Sequence, residues 1–182
     1  MKKIAILFSG TGSNFEYIAN KLHNKKLQIS VALTNNPNAG GIEIAKKHNI
    51  PLLIIPSKGL EREEFDKKVV DALKNYDFDL AVLAGFMRIL TPIFTDNIKA
   101  INLHPSLLPR HKGLHAIERS FEDEHKEGGV SVHYVTSELD GGEVIVQKSV
   151  DKSALSFTEY YSKIRAIEKE ALSEAILKVL DI

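Results

Sequence analysis

Two polar side chains stand two residues apart in an otherwise apolar run, Ala100-Ile-Asn-Leu-His-Pro-Ser-Leu-Leu-Pro109. Residues two apart on a strand project to the same face, so Asn102 and His104 converge on one point. Pro105 biases His104 toward an extended backbone, which fixes that geometry. An amide beside an imidazole suits attack on a carbonyl carbon. The Asn102 side-chain N–H can donate to an oxygen that becomes negative. His104 can donate to the same oxygen or move a proton. The chain has no cysteine, and no Gly-x-Ser-x-Gly elbow that would expose a nucleophilic serine. The pair therefore favours direct attack by a substrate amine, with a tetrahedral oxyanion held in place. His104 would need a carboxylate to control its protonation. Candidates lie in Glu138-Leu-Asp-Gly-Gly142, where Asp140 precedes two glycines in a tight, exposed turn. A structural histidine at a strand end and a plain Asp-Gly-Gly turn are the competing readings, and spacing alone leaves them open.

A second segment bears on anion binding. Gly10-Thr-Gly-Ser-Asn14 lies between an apolar run and a helical pattern, where backbone N–H groups and the helix dipole can hold an anion. A dinucleotide fingerprint would need a third glycine where Phe15 stands, and an acid where the chain has Thr34-Asn-Asn. A nucleotide P-loop would need Gly-Lys-Ser/Thr, which is absent. Two readings remain: a plain tight turn, or a phosphate on a small substrate held by Gly12, Ser13 and Asn14. His104, His111 and His115 lack a local acid to complete a ligand set, so no metal is expected.

These residues need a scaffold, and the pattern around them specifies one. Ile4 to Phe8 is a short continuous apolar run, as in a strand buried on both faces. Phe15, Ile18, Ala19 and Leu22 then share a helical face. Strands are expected at Ile29–Leu33, Leu52–Ile55, Leu80–Ala84 and in the opening stretch, with helices between them. One of these helices, charged on its outside, turns Phe65, Val69, Ala72, Leu73 and Tyr76 inward; a short one opens at Thr91-Pro. This alternation predicts a mostly parallel sheet with helices on both faces. Val130–Val135 and Val144–Val150 are separated by only eight residues, so they are expected to run antiparallel. A last helix starts at Ser156, with Ser156 and Glu159 at capping-box spacing and Leu155 with Tyr160 as the staple. The expectation is a single-domain, Rossmann-like α/β open sheet over residues 1–182. Ligands in such sheets sit beyond the carboxyl ends of the strands, which would bring the Gly10 loop and His104 to one crevice.

Composition narrows the function classes. Of 182 residues, 43% are hydrophobic and 26% charged, with 24 basic and 24 acidic side chains. A net charge of zero gives no footprint for nucleic acid or membrane. The apolar run after Met1-Lys-Lys is too short for a signal sequence, and none nears the roughly 18 residues of a membrane span. A cytoplasmic protein is expected, and a homodimer is left open.

Four motifs in order, SGTGSN, LAGFMRIL, NLHPSLLPRHKG and SVHYVTSELDGGEVIVQ, resemble the folate-dependent phosphoribosylglycinamide formyltransferases, from residue 4 to about 170. The resemblance implies transfer of a formyl group from 10-formyltetrahydrofolate to the amine of 5′-phosphoribosylglycinamide, in purine synthesis and without a metal. It implies catalytic roles for Asn102, His104 and Asp140, and phosphate contacts from Gly12, Ser13 and Asn14. The implied folate contacts are Arg62, Met87, Arg88, Ile89, Leu90, Asn102 and Asp140, with the turn from Glu138. Glu168 would contact the glycinamide substrate. Exposed backbone beyond Gly85 could pair with a pterin edge. Without the resemblance, Phe86, Met87, Ile89 and Leu90 read as core and Arg62 as a solvated charge. The chain departs from the family where His111 and Lys112 replace an aromatic segment, and where Val130 replaces a threonine. It also stops soon after the last helix, where many relatives continue. Two other readings stand beside this one. Formyltetrahydrofolate hydrolases share the catalytic motifs, with an additional N-terminal domain expected, as methionyl-tRNA formyltransferases have one at the C-terminus. A non-catalytic folate- or phosphosugar-binding protein could use the same fold.

Overall fold

The computed structural model describes residues 1–182. Its strands are β1 (Lys3–Phe8), β2 (Gln28–Thr34), β3 (Leu52–Ile54), β4 (Leu80–Leu83), β5 (Ala100–His104), β6 (Glu127–Tyr134) and β7 (Val144–Asp151). The helices are α1 (Ser13–Leu22), α2 (Gly41–Lys47), α3 (Arg62–Leu73), α4 (Pro92–Thr95), α5 (Ala116–Glu122) and α6 (Phe157–Leu180). The sheet has seven strands in the order β3-β2-β1-β4-β5-β6-β7. β1 pairs in parallel with β2 and β4, and β2 with β3. β6 and β7 are antiparallel. The α/β class and the change of strand direction in the C-terminal half match the sequence reading. No helix is long and apolar enough to cross a membrane.

The chain divides into two compact units, essentially residues 1–101 and 102–181. In the first, Ile4, Ala5, Ile6, Leu7 and Phe8 are fully buried, as a parallel strand covered on both faces requires. Phe15, Ile18, Ala19 and Leu22 bury one side of α1. Phe65, Val69 and Leu73 do the same for α3. Tyr76 lies beyond the end of α3 and is only half-buried, because the chain leaves the helix at Lys74. Asp66 is buried on α3 and accepts from the Thr91 backbone N–H and hydroxyl, both at 2.7 Å. Those two bonds hold the start of α4.

In the second unit, α6 packs on β6 and β7. Ser156 Oγ accepts from the Glu159 N–H at 3.2 Å, and the Glu159 carboxylate accepts from the Ser156 N–H at 3.1 Å. The capping box expected from the sequence is therefore formed. Tyr160, Ile164, Ala171, Leu172, Ala175, Ile176 and Leu180 form the buried stripe of α6, whereas Ile167 and Val179 are only half-buried. α5 carries no clear sequence signal: its polar run, Ala-Ile-Glu-Arg-Ser-Phe-Glu, has too short an apolar stripe for periodicity to register. Its Ser120 hydroxyl lies 2.7 Å from the buried Tyr160 hydroxyl of α6.

Candidate active site

Within the second unit, strand β5 delivers Asn102 half-buried and His104 buried. Asp140 comes from the turn between β6 and β7, in the left-handed region with φ 51°. Aspartate tolerates that conformation better than most residues. Asp140 Oδ2 lies 3.4 Å from His104 Nδ1 and accepts from the Gly113 N–H at 2.9 Å. Asp140, distant in sequence from His104, is thus its neighbour.

The structure adds a fourth member. His133 on β6 places Nε2 at 3.3 Å from Asn102 Nδ2 and 3.6 Å from Asp140 Oδ1. Its Nδ1 donates to the Tyr134 carbonyl at 2.9 Å. In the neutral ring Nε2 then carries the lone pair and accepts from the Asn102 amide, whereas in the protonated ring it presents an N–H to Asp140. That amide has two hydrogens, so one remains for a ligand oxygen. Sequence reasoning gives His133 no role. The available signal is the period of two, which sets Ser131 and His133 on the face opposite Val130 and Val132.

His104 Nε2 lies 2.8 Å from the His111 carbonyl oxygen and must be the N–H that donates to it. In the neutral ring Nδ1 then faces Asp140 with a lone pair, and 3.4 Å is longer than an ordinary hydrogen bond. Burial holds the His104 pKa below its usual value. The His111 carbonyl and the Asp140 charge oppose that shift, while His133 and Arg119 add to it. Burial of Asp140 acts to raise its pKa, but His133, the Gly113 amide and His104 outweigh it, and the carboxyl sits below its ordinary range. A histidine beside a carboxylate usually gains affinity for its proton; here desolvation of the ring decides the sign. The result is an ionised carboxylate beside a neutral imidazole. Its bare Nδ1 can take a proton, and Asp140 can then stabilise the cation.

Glu168 is buried on α6, with Arg165 Nη1 at 3.2 and 3.0 Å from its two oxygens. His111 Nε2 lies 2.6 Å from Asp123 Oδ2, and His115 is an exposed residue at the start of α5.

In the first unit, Gly12 caps α1 with φ 79°, and Ser13 and Asn14 form its first turn, Asn14 buried. A Cβ on Gly12 would lie 2.5 Å from the Gly41 Cα, so packing alone requires glycine there. The segment after β4 divides. Phe86 belongs to the core, but Met87 and Ile89 are 66% and 46% exposed, which packing alone does not explain. The Met87 N–H donates to Ser9 Oγ at 2.8 Å. Leu90 is half-buried. The Arg88 guanidinium stacks 4.6 Å from the centre of the Phe65 ring. Phe65 sits on α3, whose exposed first residue is Arg62.

A family model described as formyl transferase matches residues 2–176. The phosphoribosylglycinamide formyltransferase of Haemophilus influenzae is 39% identical over 155 residues, covering 82% of this chain and 73% of that protein. The enzyme of the same name from Bacillus subtilis is 36% identical, covering 83% and 80%. The crystal structure of phosphoribosylglycinamide formyltransferase from Campylobacter jejuni superposes with a TM-score of 0.95 at 50% identity, covering 98% of this chain and 97% of that one. The resemblance carried by the four sequence motifs is borne out: the chain belongs to the formyl transferase family.

Proposed function

We propose that the chain transfers the formyl group of 10-formyltetrahydrofolate to the amine of 5′-phosphoribosylglycinamide, a step of purine synthesis. The observation that carries this reading is the Asn102–His104–His133–Asp140 cluster, in a chain whose relatives bear that enzyme's name. The amine attacks the formyl carbon, a C–N bond forms, and the formyl oxygen becomes an oxyanion. The free hydrogen of the Asn102 amide donates to that oxygen. His104 Nδ1 takes the proton shed by the ammonium, and Asp140 stabilises the imidazolium while it lasts. When the tetrahedral adduct collapses, the bond to the folate nitrogen breaks, that nitrogen takes up the proton held by His104, and the neutral imidazole is restored. No enzyme-bound formyl group is required.

Other roles follow from the same reading. Gly12, Ser13 and Asn14 hold the substrate phosphate at the start of α1. Arg62, the segment Met87–Leu90, Asn102 and Asp140 contact the folate. Glu168 contacts the glycinamide substrate. Residues 1–182 act as one catalytic domain, in the cytoplasm, on two small molecules. The test is folate deformylation followed by absorbance, with and without phosphoribosylglycinamide. Turnover that needs the glycinamide is the expected result. Turnover without it would make the chain a hydrolase, and no turnover in either case would make it a binding protein.

A further inference from the structure

Lys152 follows β7, and only 7% of it is exposed. A buried ammonium needs partners to offset its lost hydration. Lys152 Nζ donates to the backbone carbonyls of Ser120, Phe121 and Asp123, and to Asp123 Oδ1 at 2.6 Å. These carbonyls lie at the end of α5, where a helix leaves acceptors unpaired and favours a cation. The second oxygen of Asp123, Oδ2, lies 2.6 Å from His111 Nε2. His111 has φ 55°, a conformation that favours glycine and needs outside support. The backbone carbonyl of this tethered residue is the one that accepts from His104 Nε2 at 2.8 Å.

A continuous path therefore runs from the buried cation through Asp123 and His111 to His104, and from His104 Nδ1 to Asp140. The link to His104 is a backbone carbonyl, so the His111 side chain acts only by fixing where that carbonyl points. An acceptor held at Nε2 selects the Nε2–H tautomer and leaves Nδ1 bare. Without it, the ring could carry its single hydrogen on Nδ1 and donate to Asp140, which moves the proton-accepting nitrogen to Nε2.

We propose that Lys152, Asp123 and His111 are positioning residues that fix the tautomer of His104 and so direct its proton-accepting nitrogen toward Asp140. The catalytic consequence rests on the transferase reading above; the tautomer does not. Both are measured on His111→Phe and on the double variant Asp123→Asn/Lys152→Met. The latter removes opposite charges together, so that neither is left buried alone. Thermal unfolding establishes that each variant folds. Histidine ring ¹⁵N shifts, assigned with His104→Gln, should give mainly the Nε2–H form of His104 in the unmodified chain and a mixture in both variants. In the transferase assay kcat should fall by about tenfold or more, while KM for either substrate moves by less than about threefold. The acid limb of kcat/KM should move to lower pH, since the His111 carbonyl supports the His104 cation and Asp140, His133 and Arg119 still face it. Folded variants with the His104 tautomer unchanged would overturn the proposal. A tautomer that responds in a chain without transferase activity would sustain the network and defeat the functional reading instead.

Discussion

The surroundings of His104 pull its proton affinity in opposite directions, and burial prevails. Burial expels the positive charge, while Asp140 and the His111 carbonyl favour it. In the proposed transfer Asp140 acts as a charge that stabilises the imidazolium. In Asp140→Asn the shape survives, because asparagine also accepts a left-handed backbone and keeps an oxygen for the Gly113 N–H. The negative charge does not survive. Turnover should fall by about 10²- to 10⁴-fold, with circular dichroism and the unfolding temperature close to those of the unmodified chain. Near-normal kcat in the folded variant would remove Asp140 from the mechanism.

Among the elements, α1 poses the sharpest question. Its N-terminus offers amides and a positive dipole end to an anion. Gly12 also has φ 79° and sits against Gly41, so any side chain there strains the backbone and clashes. A Gly12 variant would lose stability whether or not a phosphate binds, and so cannot decide the matter. Varying the ligand can. Removing the phosphate from phosphoribosylglycinamide should weaken its binding at least about tenfold, roughly the 1.4 kcal/mol expected of one lost anion contact. Calorimetric titration reads this directly, and equal affinities would reduce the glycine loop to a tight turn. α5 shows the reverse relation between element and site. Its last turn, capped by Lys152, carries the Asp123 carboxylate that tethers His111.

Across the whole molecule, folding moves His104, Asp123 and Asp140 in one direction, toward weaker proton binding. Burial leads the lowering at His104. Asp123 is lowered to about 2 because Lys152, His111 and the His125 amide outweigh its burial, and Asp140 is lowered as described above. Each group binds its proton more weakly when folded, so the unfolded chain takes up more protons and stability rises with pH. The His104 contribution is present above about pH 6.5 and fades below it. Those of the two aspartates are present above about pH 4 and are lost as pH falls, through about 2 for Asp123. Urea unfolding at pH 7, 5 and 3 should show midpoints that drop at each step. Asp123→Asn should flatten the drop between pH 5 and 3. A midpoint independent of pH over that range would contradict these assignments.

Apart from α5, the sequence by itself determined the main elements and their order, because they bury periodic apolar stripes or runs that local residues supply. Ile4–Phe8 had to be a covered strand, Ser156 and Glu159 had to cap a helix, and two strands eight residues apart had to turn back. It also marked Asn102 and His104 as one unit, since a strand's period of two is a local property. Motif resemblance supplied Asp140 its role. Only the tertiary structure decided what surrounds that pair. His133 reaches Asn102 and Asp140 from another strand. His111 gives His104 a carbonyl rather than a side chain, and Lys152 comes from beyond β7 to neutralise Asp123. Strand period places His133 on a face but not against Asn102, Lys152 and Asp123 lie far apart in the chain, and the seven residues from His104 to His111 carry no pattern that sets a carbonyl at a ring nitrogen. The protonation state of His104 belongs to the same class: desolvation is a property of the packed interior, and no isolated stretch of residues possesses it.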